Sequence, residues 1–348
     1  MNASGSHSSS APAPAVQAPL PATAGAAPRR AWLILAIAFI VAIWAVNFIV
    51  AKIGLRHFSP PTLGSFRVFF AGLAMLPAYF FCLRLPAFAE AAAARRKGFS
   101  AHDLWTFAYL GFFGAAVNPF CFSASLHYTS VAHASVIVAM GPIYILVLAV
   151  LMGLETWTWR KAAGMAIALA GVAVMAGKGG MSTHSPTLHG DLLALCGSLG
   201  FSMYAVLGKR VAGKYDALTM TAFNQFFGSL MILPVALYEA RQVGSAAYWR
   251  AIPAQSWIAV AYMAVLASCA AYLLYFWVLR YMPASQVSAF TYLLPVTATL
   301  LGFLWLGESL TPASIAGSAI VLAGVYAVES ARTSAMPRTA VGHNSSQQ

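Results

Sequence analysis

The sequence predicts an all-α integral membrane protein with ten transmembrane helices arranged as two inverted repeats of five. Three observations predict this class: 60% of the 348 residues are apolar, ten apolar runs could each cross a bilayer, and the second half of the chain repeats the first. Soluble domains contain about 45–50% apolar and about 25% charged residues, whereas this chain contains 8% charged residues and has a mean hydropathy of +0.75. A soluble fold cannot bury so much apolar surface, so lipid must cover part of it.

The termini have a different composition from the rest of the chain. Residues 1–28 are mostly Ala, Pro, Ser and Gly and contain no Lys, Arg, Asp or Glu, and residues 331–348 have a similar character. Such segments are typical of flexible tails, and we place the first tail at residues 1–30. The apolar run that follows has about 20 residues and exceeds the 7–15-residue core of a signal peptide, which predicts a retained span.

Ten apolar runs follow one another between the tails. Each has roughly 18–24 residues, enough for a helix to cross a hydrocarbon core of ~30 Å. A helix also satisfies every backbone polar group within lipid. The predicted spans are 31–51, 61–83, 104–126, 131–152, 160–177, 190–208, 217–238, 256–279, 285–306 and 312–330.

The distribution of basic residues predicts the orientation. With the N-terminus inside, the inside segments hold 14 Lys and Arg, the outside segments hold 5, and Arg67 lies within a span, which accounts for all 20. Lys and Arg concentrate in cytoplasmic loops, so both termini are predicted to be cytoplasmic. The net charge of +12 follows from this topology and does not indicate nucleic-acid binding. The four cysteines have neither metal-ligand spacing nor a disulfide framework, so no metal or cofactor is predicted.

The two halves of the chain align in register. TLGSFRVFFAGLAMLP at 62–77 matches TMTAFNQFFGSLMILP at 219–234 with an offset of 157, and AGMAIALAGV at 163–172 matches AGSAIVLAGV at 316–325 with an offset of 153. Because five spans per half is an odd number, the second half enters the membrane from the opposite side. Inverted repeats are the architecture of alternating-access transporters, with a substrate site near midplane. The predicted repeats are 31–177 and 190–330, joined by a linker at 178–189.

Four segments resemble a known family. LHYTSVAHASVIVAMGPIYILVLAVLMGLETWTWRKAAGMAIALAGV and LRYMPASQVSAFTYLLPVTATLLGFLWLGESLTPASIAGSAIVLAGV resemble the paired EamA domains of the drug/metabolite transporter superfamily. WAVNFIVAKIGL and FRVFFAG resemble the start of a bacterial EamA protein, and the resemblance covers about residues 31–330. It implies ten helices, cytoplasmic termini, an inner-membrane location and export of amino acids or related small metabolites. Some members handle sugars, nucleotide sugars or drugs.

Polar and aromatic side chains inside the spans are candidates for a substrate cavity. Trp44 and Asn47 are three residues apart and share a helix face, although Asn47 is equally compatible with an interhelical hydrogen bond. Asn118 precedes a proline in the third span, and Tyr272 lies beside its repeat position. The predicted cavity-lining residues are Trp44, Asn47, Arg67, Asn118, Tyr204, Asn224, Tyr272, Thr291 and Tyr292.

Pro142 and Pro295 occupy matching positions about eleven residues into their spans. A proline inside a helix frees one carbonyl, here near Val138 and Thr291. Broken helices near midplane are typical of transporters, so both prolines are predicted hinges or cavity-lining residues. The alternative is that proline is simply common in membrane helices.

Arg67 is the charge within a span, and its repeat position is Asn224. It lies about 9 Å from the outer surface at 1.5 Å per residue. Three interpretations remain open: Arg67 ties helices together, it meets a substrate carboxylate in an outer vestibule, or it snorkels outward.

Other charged residues and the glycines are interpreted as structural. Glu155 and Glu308 end the fourth and ninth spans and are predicted helix-start capping groups. Lys52 and Lys209 end the first span of each half and are predicted to snorkel. Glycines seven apart predict a smooth face for close helix packing in each half, namely Gly164, Gly171, Gly317 and Gly324.

The charges also limit the function. No Asp or Glu lies in the middle of a span, which disfavours a pump for organic cations. A phosphorylated substrate needs several converging cations, and only Arg67 is inside a span. We therefore expect a secondary transporter for neutral or zwitterionic small metabolites, embedded in lipid as a monomer or homodimer. The alternatives are a drug or sugar/nucleotide-type carrier of the same fold, or a channel or receptor; no enzyme motif such as HExxH or GxSxG is present.

Overall fold

The computed structural model describes residues 28–128, 137–176, 188–242, 246–306 and 312–331. All regular structure within these ranges is helical, which confirms the all-α class. Six helical stretches there are long and apolar enough to cross a membrane, and the other predicted spans correspond to shorter helices. The ten-span count remains a prediction. Most of both predicted tails, most of the predicted linker and Glu308 lie outside the described residues.

The described part of the first half contains seven α-helices. They are α1 (Arg30–Gly54), α2 (Pro60–Cys82), α3 (Ala89–Lys97), α4 (Ala101–Leu110), α5 (Asn118–Tyr128), α6 (Gly141–Leu151) and α7 (Trp159–Ala176). The described part of the second half contains eight. They are α8 (Leu188–Val211), α9 (Ala217–Gln242), α10 (Ala246–Ala251), α11 (Ala254–Ala264), α12 (Ala271–Tyr281), α13 (Ala284–Ala289), α14 (Leu293–Leu306) and α15 (Pro312–Ser330).

Local side chains define where two of the long helices begin. The Ser59 hydroxyl accepts a hydrogen bond of 3.2 Å from the backbone N–H of Thr62, and Pro60 occupies the first position of α2. Ser100 and Asp103 form a reciprocal capping box at the start of α4. These caps satisfy backbone N–H groups at the helix ends, where no intrahelical partner exists.

Two of the long helical stretches contain a π-helical turn. Gly111–Val117 joins α4 to α5, and Val265–Ala270 joins α11 to α12. At the sequence offset of 153, residues 111–117 correspond to 264–270, so the turns lie at matching places in the two halves. Because π-helical turns are rare and are frequently found at functional sites, these two turns indicate where a functional site should be sought.

The two predicted hinge prolines lie at helix breaks rather than in helix interiors. Helix α6 begins after a turn at Met140, with Pro142 in its first turn. Helix α13 ends at Ala289, a 3₁₀ turn follows at Phe290–Tyr292, and Pro295 lies in the first turn of α14. The first turn tolerates proline because its N–H groups have no intrahelical acceptor.

Helices of one half pack mainly against helices of the other. The closest of these contacts join α2 to α9, α5 to α8, α1 to α11 and α12, and α7 to α15. A Cβ atom added to Gly171 would lie 2.7 Å from the carbonyl oxygen of Gly317, and one added to Gly324 would lie 2.6 Å from that of Gly164. The predicted close packing through these glycines is therefore confirmed, and it joins α7 directly to α15.

Large apolar side chains cover the outside of the bundle. Trp32, Phe81 and Leu151 are each more than half exposed, although they lie in the apolar helices α1, α2 and α6. In water such a surface would favour aggregation. Because lipid tails solvate apolar side chains, this exterior fits a bilayer environment.

Candidate functional site

A cavity of about 140 Å³ lies where helices of the two halves meet. Six of the nine predicted cavity residues line it, and so does the predicted hinge Pro142. The lining residues are Trp44, Asn47, Arg67, Asn118, Phe122, Val138, Gly141, Pro142, Ile145, Ser198, Phe201, Tyr272, Thr291 and Leu294. Concave, mostly apolar sites with a few convergent polar groups are the usual form of a small-molecule site.

The structure places the other predicted residues away from this lining. Tyr204 and Asn224 are both fully buried, and Asn224 Nδ2 donates to the Tyr204 hydroxyl at 3.3 Å. Tyr204 packs against Tyr272, with ring centroids 5.4 Å apart, so it supports a wall of the cavity. Tyr292 is buried in the apolar cluster of α7 and α15. Pro295 lies one turn beyond Thr291 and is half-buried.

Ser198 is a lining residue that the sequence did not single out as a cavity group. It is 3% exposed, and its Oγ has no hydrogen-bond partner within the part of the chain that the structure describes. It comes next to Gly197, where an added Cβ would lie 3.2 Å from the carbonyl oxygen of Asn118. The small residues of GSLG at 197–200 therefore allow α8 to approach α5 closely. This cluster of small residues is the sequence pattern that would have identified Ser198.

The π-helical turns anchor two aromatic walls of the cavity. Trp44 Nε1 donates to the carbonyl oxygen of Ala267 at 3.1 Å, and the Tyr272 hydroxyl donates to that of Gly114 at 3.2 Å. Both carbonyls belong to π-helical turns, and 114 and 267 are related by the repeat offset of 153. A π-helical turn disrupts the regular i→i−4 pattern, which leaves backbone carbonyls available to side chains.

The aromatic rings pack against one another around the cavity. Trp44 meets Phe201 and Tyr272 edge to face, with centroid distances of 6.0 Å and 6.1 Å. These are favourable aromatic geometries. The walls are thus held by ring packing as well as by hydrogen bonds, so their side chains have little freedom to collapse into the space.

Arg67 reaches the cavity from α2 and is held by the other half of the chain. Its Nε donates to Ser268 Oγ at 2.9 Å, and Ser268 Oγ donates to the carbonyl oxygen of Met263 at 2.9 Å. Gln225 Nε2 donates to the carbonyl oxygen of Ser268 at 2.9 Å. Within the described ranges no Asp or Glu forms an ion pair with Arg67. The interpretation that Arg67 ties helices together therefore explains the hydrogen bond of Nε. It does not explain the two terminal nitrogens of the guanidinium, for which the described residues provide no acceptor.

Asn118 has the interhelical contact that polar residues in membranes commonly make. Its Nδ2 donates to the carbonyl oxygen of Gly197 at 3.0 Å, which links α5 to α8. Asn47 differs, because its Oδ1 is buried and has no partner among the described groups. The two asparagines that line the cavity therefore have different roles in the structure.

A buried ion pair lies within the first half away from the cavity, and its carboxylate joins that half to the second. Lys161 Nζ lies 2.7 Å from Glu155 Oε2, and the two side chains are 1% and 3% exposed. Glu155 also accepts hydrogen bonds from the backbone N–H of Ser285, at 3.0 Å, and from its hydroxyl. The predicted capping by Glu155 therefore acts on α13 in the opposite half.

Lys209 lies near enough to this ion pair for its charge to interact with Glu155. Its Nζ donates to the carbonyl oxygens of Leu279 and Met282 at 2.6 Å and 2.9 Å. A lysine that satisfies carbonyls at a helix C-terminus is a stabilising arrangement. The prediction that Lys209 snorkels into water is wrong, because the carbonyls left free at the end of α12 are closer acceptors.

Three further ion pairs lie at the end of the bundle where α1 begins. Arg30 pairs with Glu329, Arg280 pairs through two hydrogen bonds of 3.0 Å with Glu90, and Lys214 pairs with Asp103 at 2.6 Å. The hydrogen bond with Asp103 raises the pKa of Lys214 above its usual value. The described ion pairs are thus concentrated at one end, and the cavity lies outside this charged layer. In the described ranges, no three His, Cys, Asp or Glu side chains are grouped as metal ligands.

Comparison with known proteins gives consistent matches. The model of the EamA-like transporter family matches residues 31–177 and 188–329. An "uncharacterized transporter" of Archaeoglobus fulgidus is 27% identical over 299 residues, which cover 86% of this chain and 98% of that protein. A "probable terminal-alkyne amino-acid exporter" of Streptantibioticus cattleyicolor is 25% identical over 293 residues, covering 84% and 92%. A solved crystal structure with 19% identity has the same fold, with a TM-score of 0.63 over 86% of this chain and 96% of that one.

Proposed function

The chain belongs to the EamA-like transporter family, and we propose that it is a secondary carrier that exports small neutral or zwitterionic metabolites, such as amino acids. It is a transporter and not an enzyme. The observation that carries the proposed substrate class is the cavity between the two halves, which combines aromatic walls with few polar groups. One relative at 25% identity is named as a probable amino-acid exporter, which favours the same class here.

The proposed mechanism is alternating access between two inverted repeats, 31–177 and 190–330, with 178–189 as a linker and with tails at 1–30 and 331–348. Matching π-helical turns and matching proline breaks support the repeats, since both pairs follow the sequence offset of 153. The dominant packing of helices across the halves supports them as well. In transporters of this design, one repeat moves against the other around a fixed site.

The size of the cavity favours a small substrate over the alternatives. Sites for drug-sized ligands measure about 300–1,000 Å³, and this cavity measures about 140 Å³. An engineered apolar cavity of about 150 Å³ binds benzene. A molecule of that size corresponds to a small amino acid, whereas a nucleotide sugar or a typical drug would require a much larger site.

The charged layer at one end favours a state closed on that side. We propose that the protein lies in the inner membrane of the cell and that both of its termini are in the cytoplasm. The hydrogen bonds of Glu155 and Lys209 then close the cytoplasmic side. Export then requires a second state in which these ties open. Pro142 and Pro295 are the proposed hinges, because each lies where one helical segment ends and another begins. The cavity is built from one chain, so a monomer is sufficient, and a homodimer is compatible with it.

Counterflow in proteoliposomes tests the proposed function. Vesicles containing the purified chain are loaded with one unlabelled amino acid and given a trace of the same labelled compound outside. A carrier exchanges label transiently above equilibrium, and protein-free vesicles give the background. Exchange of sugar phosphates without exchange of any amino acid would overturn the proposed substrate class. Label entry without stimulation by internal substrate would instead indicate a channel.

A further inference from the structure

We propose that Arg67 determines substrate specificity by binding a single carboxylate, while Asn47 and Ser198 receive the substrate's amino group. The proposal rests on the transport function proposed above and deepens it, because it assigns a polarity to the same cavity. The ligand class is a small molecule with one carboxylate and one ammonium group.

The charge balance of the cavity is the first argument. Arg67 is seven residues from the first residue of α2, so it lies about 10 Å along the helix from its outer end. An ionised side chain at membrane depth is normally paired. The acids with described ion pairs, Glu90, Asp103, Glu155 and Glu329, bind other cations. The described lining residues include no Asp or Glu, so the charge of Arg67 is unbalanced there, and a substrate carboxylate would balance it.

The geometry of the guanidinium is the second argument. Ser268 occupies Nε, and the two terminal nitrogens of Arg67 have no hydrogen-bond partner in the described part of the chain. Ser268 is itself directed by its hydrogen bond to Met263. Arginine presents its N–H groups in a planar fork that matches the two oxygens of a carboxylate. Arg67 is thus oriented before substrate arrives, and its remaining donors belong to a residue that lines the cavity.

Two unpartnered polar atoms supply the third argument. Asn47 Oδ1 and Ser198 Oγ are buried, lack hydrogen-bond partners among the described groups, and belong to residues that line the same cavity. Buried polar atoms without partners are uncommon in native structures. An ammonium group provides three donors, and both atoms accept hydrogen bonds. Trp44 and Phe201 also line the cavity, so a bound ammonium group would lie near aromatic rings that attract cations.

These features together exclude several other ligands. An amine without a carboxylate would leave Arg67 unpaired in the cavity. A dicarboxylate would bring a second negative charge. The described lining residues include no Lys or Arg besides Arg67 that could balance it. A sugar would satisfy the polar atoms but not the charge, so the site favours a zwitterion.

Matched ligand pairs in counterflow test the inference. The full chain is reconstituted, and each of the twenty common amino acids is tested as a competitor beside its carboxamide. Wild-type protein is expected to prefer amino acids over their amides by at least about tenfold, as loss of a charged hydrogen-bonding partner predicts. Arg67→Gln should remove this preference, and Arg67→Lys should retain part of it. Arg56→Gln is the control, because Arg56 is an exposed arginine in the loop between α1 and α2.

A second variant tests the amino-group side without changing Arg67. Ser198→Ala should weaken competition by alanine about threefold and leave competition by propionate, which lacks the amino group, unchanged. Equal competition by amino acids and their amides, or unchanged preference in Arg67→Gln, would overturn the inference while leaving the carrier function intact. Absence of any exchange in the wild type would overturn the proposed function and the inference with it.

Discussion

Ser268 fixes the direction of Arg67, because it accepts from Nε at 2.9 Å while its own proton goes to Met263. Neither partner is adjacent to Arg67 in sequence, so the sequence identified the arginine but not the group that orients it. The sequence also identified Asn47, but it did not distinguish its unpartnered Oδ1 from the interhelical hydrogen bond of Asn118. Which of two similar polar residues finds a partner depends on the approach of neighbouring helices, which spacing along one helix does not specify.

Replacing Ser268 with alanine should weaken substrate binding without unfolding the protein. The guanidinium would lose the acceptor for Nε and sample other directions, which predicts an increase in KM of about threefold to tenfold for a lost charged hydrogen bond. KM in counterflow measures this. Ser65→Ala is the matched control, because Ser65 lies on the same helix as Arg67 and its hydroxyl bonds within that helix, to the carbonyl oxygen of Thr62. An unchanged KM in Ser268→Ala would show that Ser268 does not position Arg67.

The pair formed by Glu155 and Lys161 should show strong thermodynamic coupling. Removing one partner of a buried ion pair leaves an uncompensated charge and costs about 3–5 kcal/mol, whereas replacing both costs much less. Lys161→Met should therefore lower the thermal unfolding midpoint of the purified protein more than the double variant Lys161→Met, Glu155→Gln does. Midpoints of the two single variants and the double variant complete the cycle. Single effects that simply add would contradict the coupling, and with it the burial of both charges.

At the scale of elements, the apolar runs predicted the helices well because membrane helices must satisfy their own backbone. The breaks inside them were not predictable in the same way. Asn118-Pro119 directly follows the π-helical turn at Gly111–Val117, but the matching turn at Val265–Ala270 lies within a continuous apolar run that no proline or charge interrupts. The prolines were recognised, but their position in the first turn of α6 and of α14 depends on where the preceding helix ends. The start of α13 likewise depends on a tertiary contact, the hydrogen bond that Glu155 accepts from the backbone N–H of Ser285.

The contact between α7 and α15 should tolerate no added methyl group at Gly171. A Cβ there would lie 2.7 Å from the carbonyl oxygen of Gly317 and 2.7 Å from the backbone nitrogen of Val321. Because these are backbone atoms, the two helices must move apart, and overpacking of this kind typically costs about 1–3 kcal/mol. Gly171→Ala should lower the thermal midpoint of the purified protein by several degrees, on the order expected for that free energy.

Gly213→Ala is the control for this change. Gly213 has nothing within 4 Å of an added Cβ, so its substitution should leave the midpoint unchanged. Equal midpoints for the two variants would mean that α7 and α15 are not in direct backbone contact.

At the scale of the whole molecule, the sequence predicted a two-fold relation between the halves, and the structure adds an asymmetry to it. The repeat partner of Glu155 is Glu308, but the position matching Lys161 at the offset of 153 is Ser314. The lysine of this buried ion pair therefore has no counterpart at the matching position of the second half. Inverted repeats exchange conformations between two states, so unequal ties at the two ends bias which state is populated.

Weakening the contacts of Glu155 at the proposed cytoplasmic end should shift the population toward the state that is open to the cytoplasm. A contact present in one state contributes its full free energy to the equilibrium, and about 1.4 kcal/mol changes the ratio tenfold. Glu155→Gln loses the charge attraction to Lys161 and weakens the cap on Ser285, so it should favour cytoplasmic opening.

Labelling of a thiol in the cavity measures this opening. In a chain whose four native cysteines are replaced, a single Ser198→Cys thiol in the cavity reports access to a membrane-impermeant maleimide. Cytoplasmic labelling in inside-out vesicles should be several-fold faster with Glu155→Gln. Glu90→Gln is the matched control within the same charged layer, because the Glu90 side chain is 55% exposed and exposed ion pairs contribute about 0–1 kcal/mol. Equal labelling rates in both variants would mean that the contacts of Glu155 do not control access to the cavity. Closure of the cytoplasmic side would then depend on apolar packing instead.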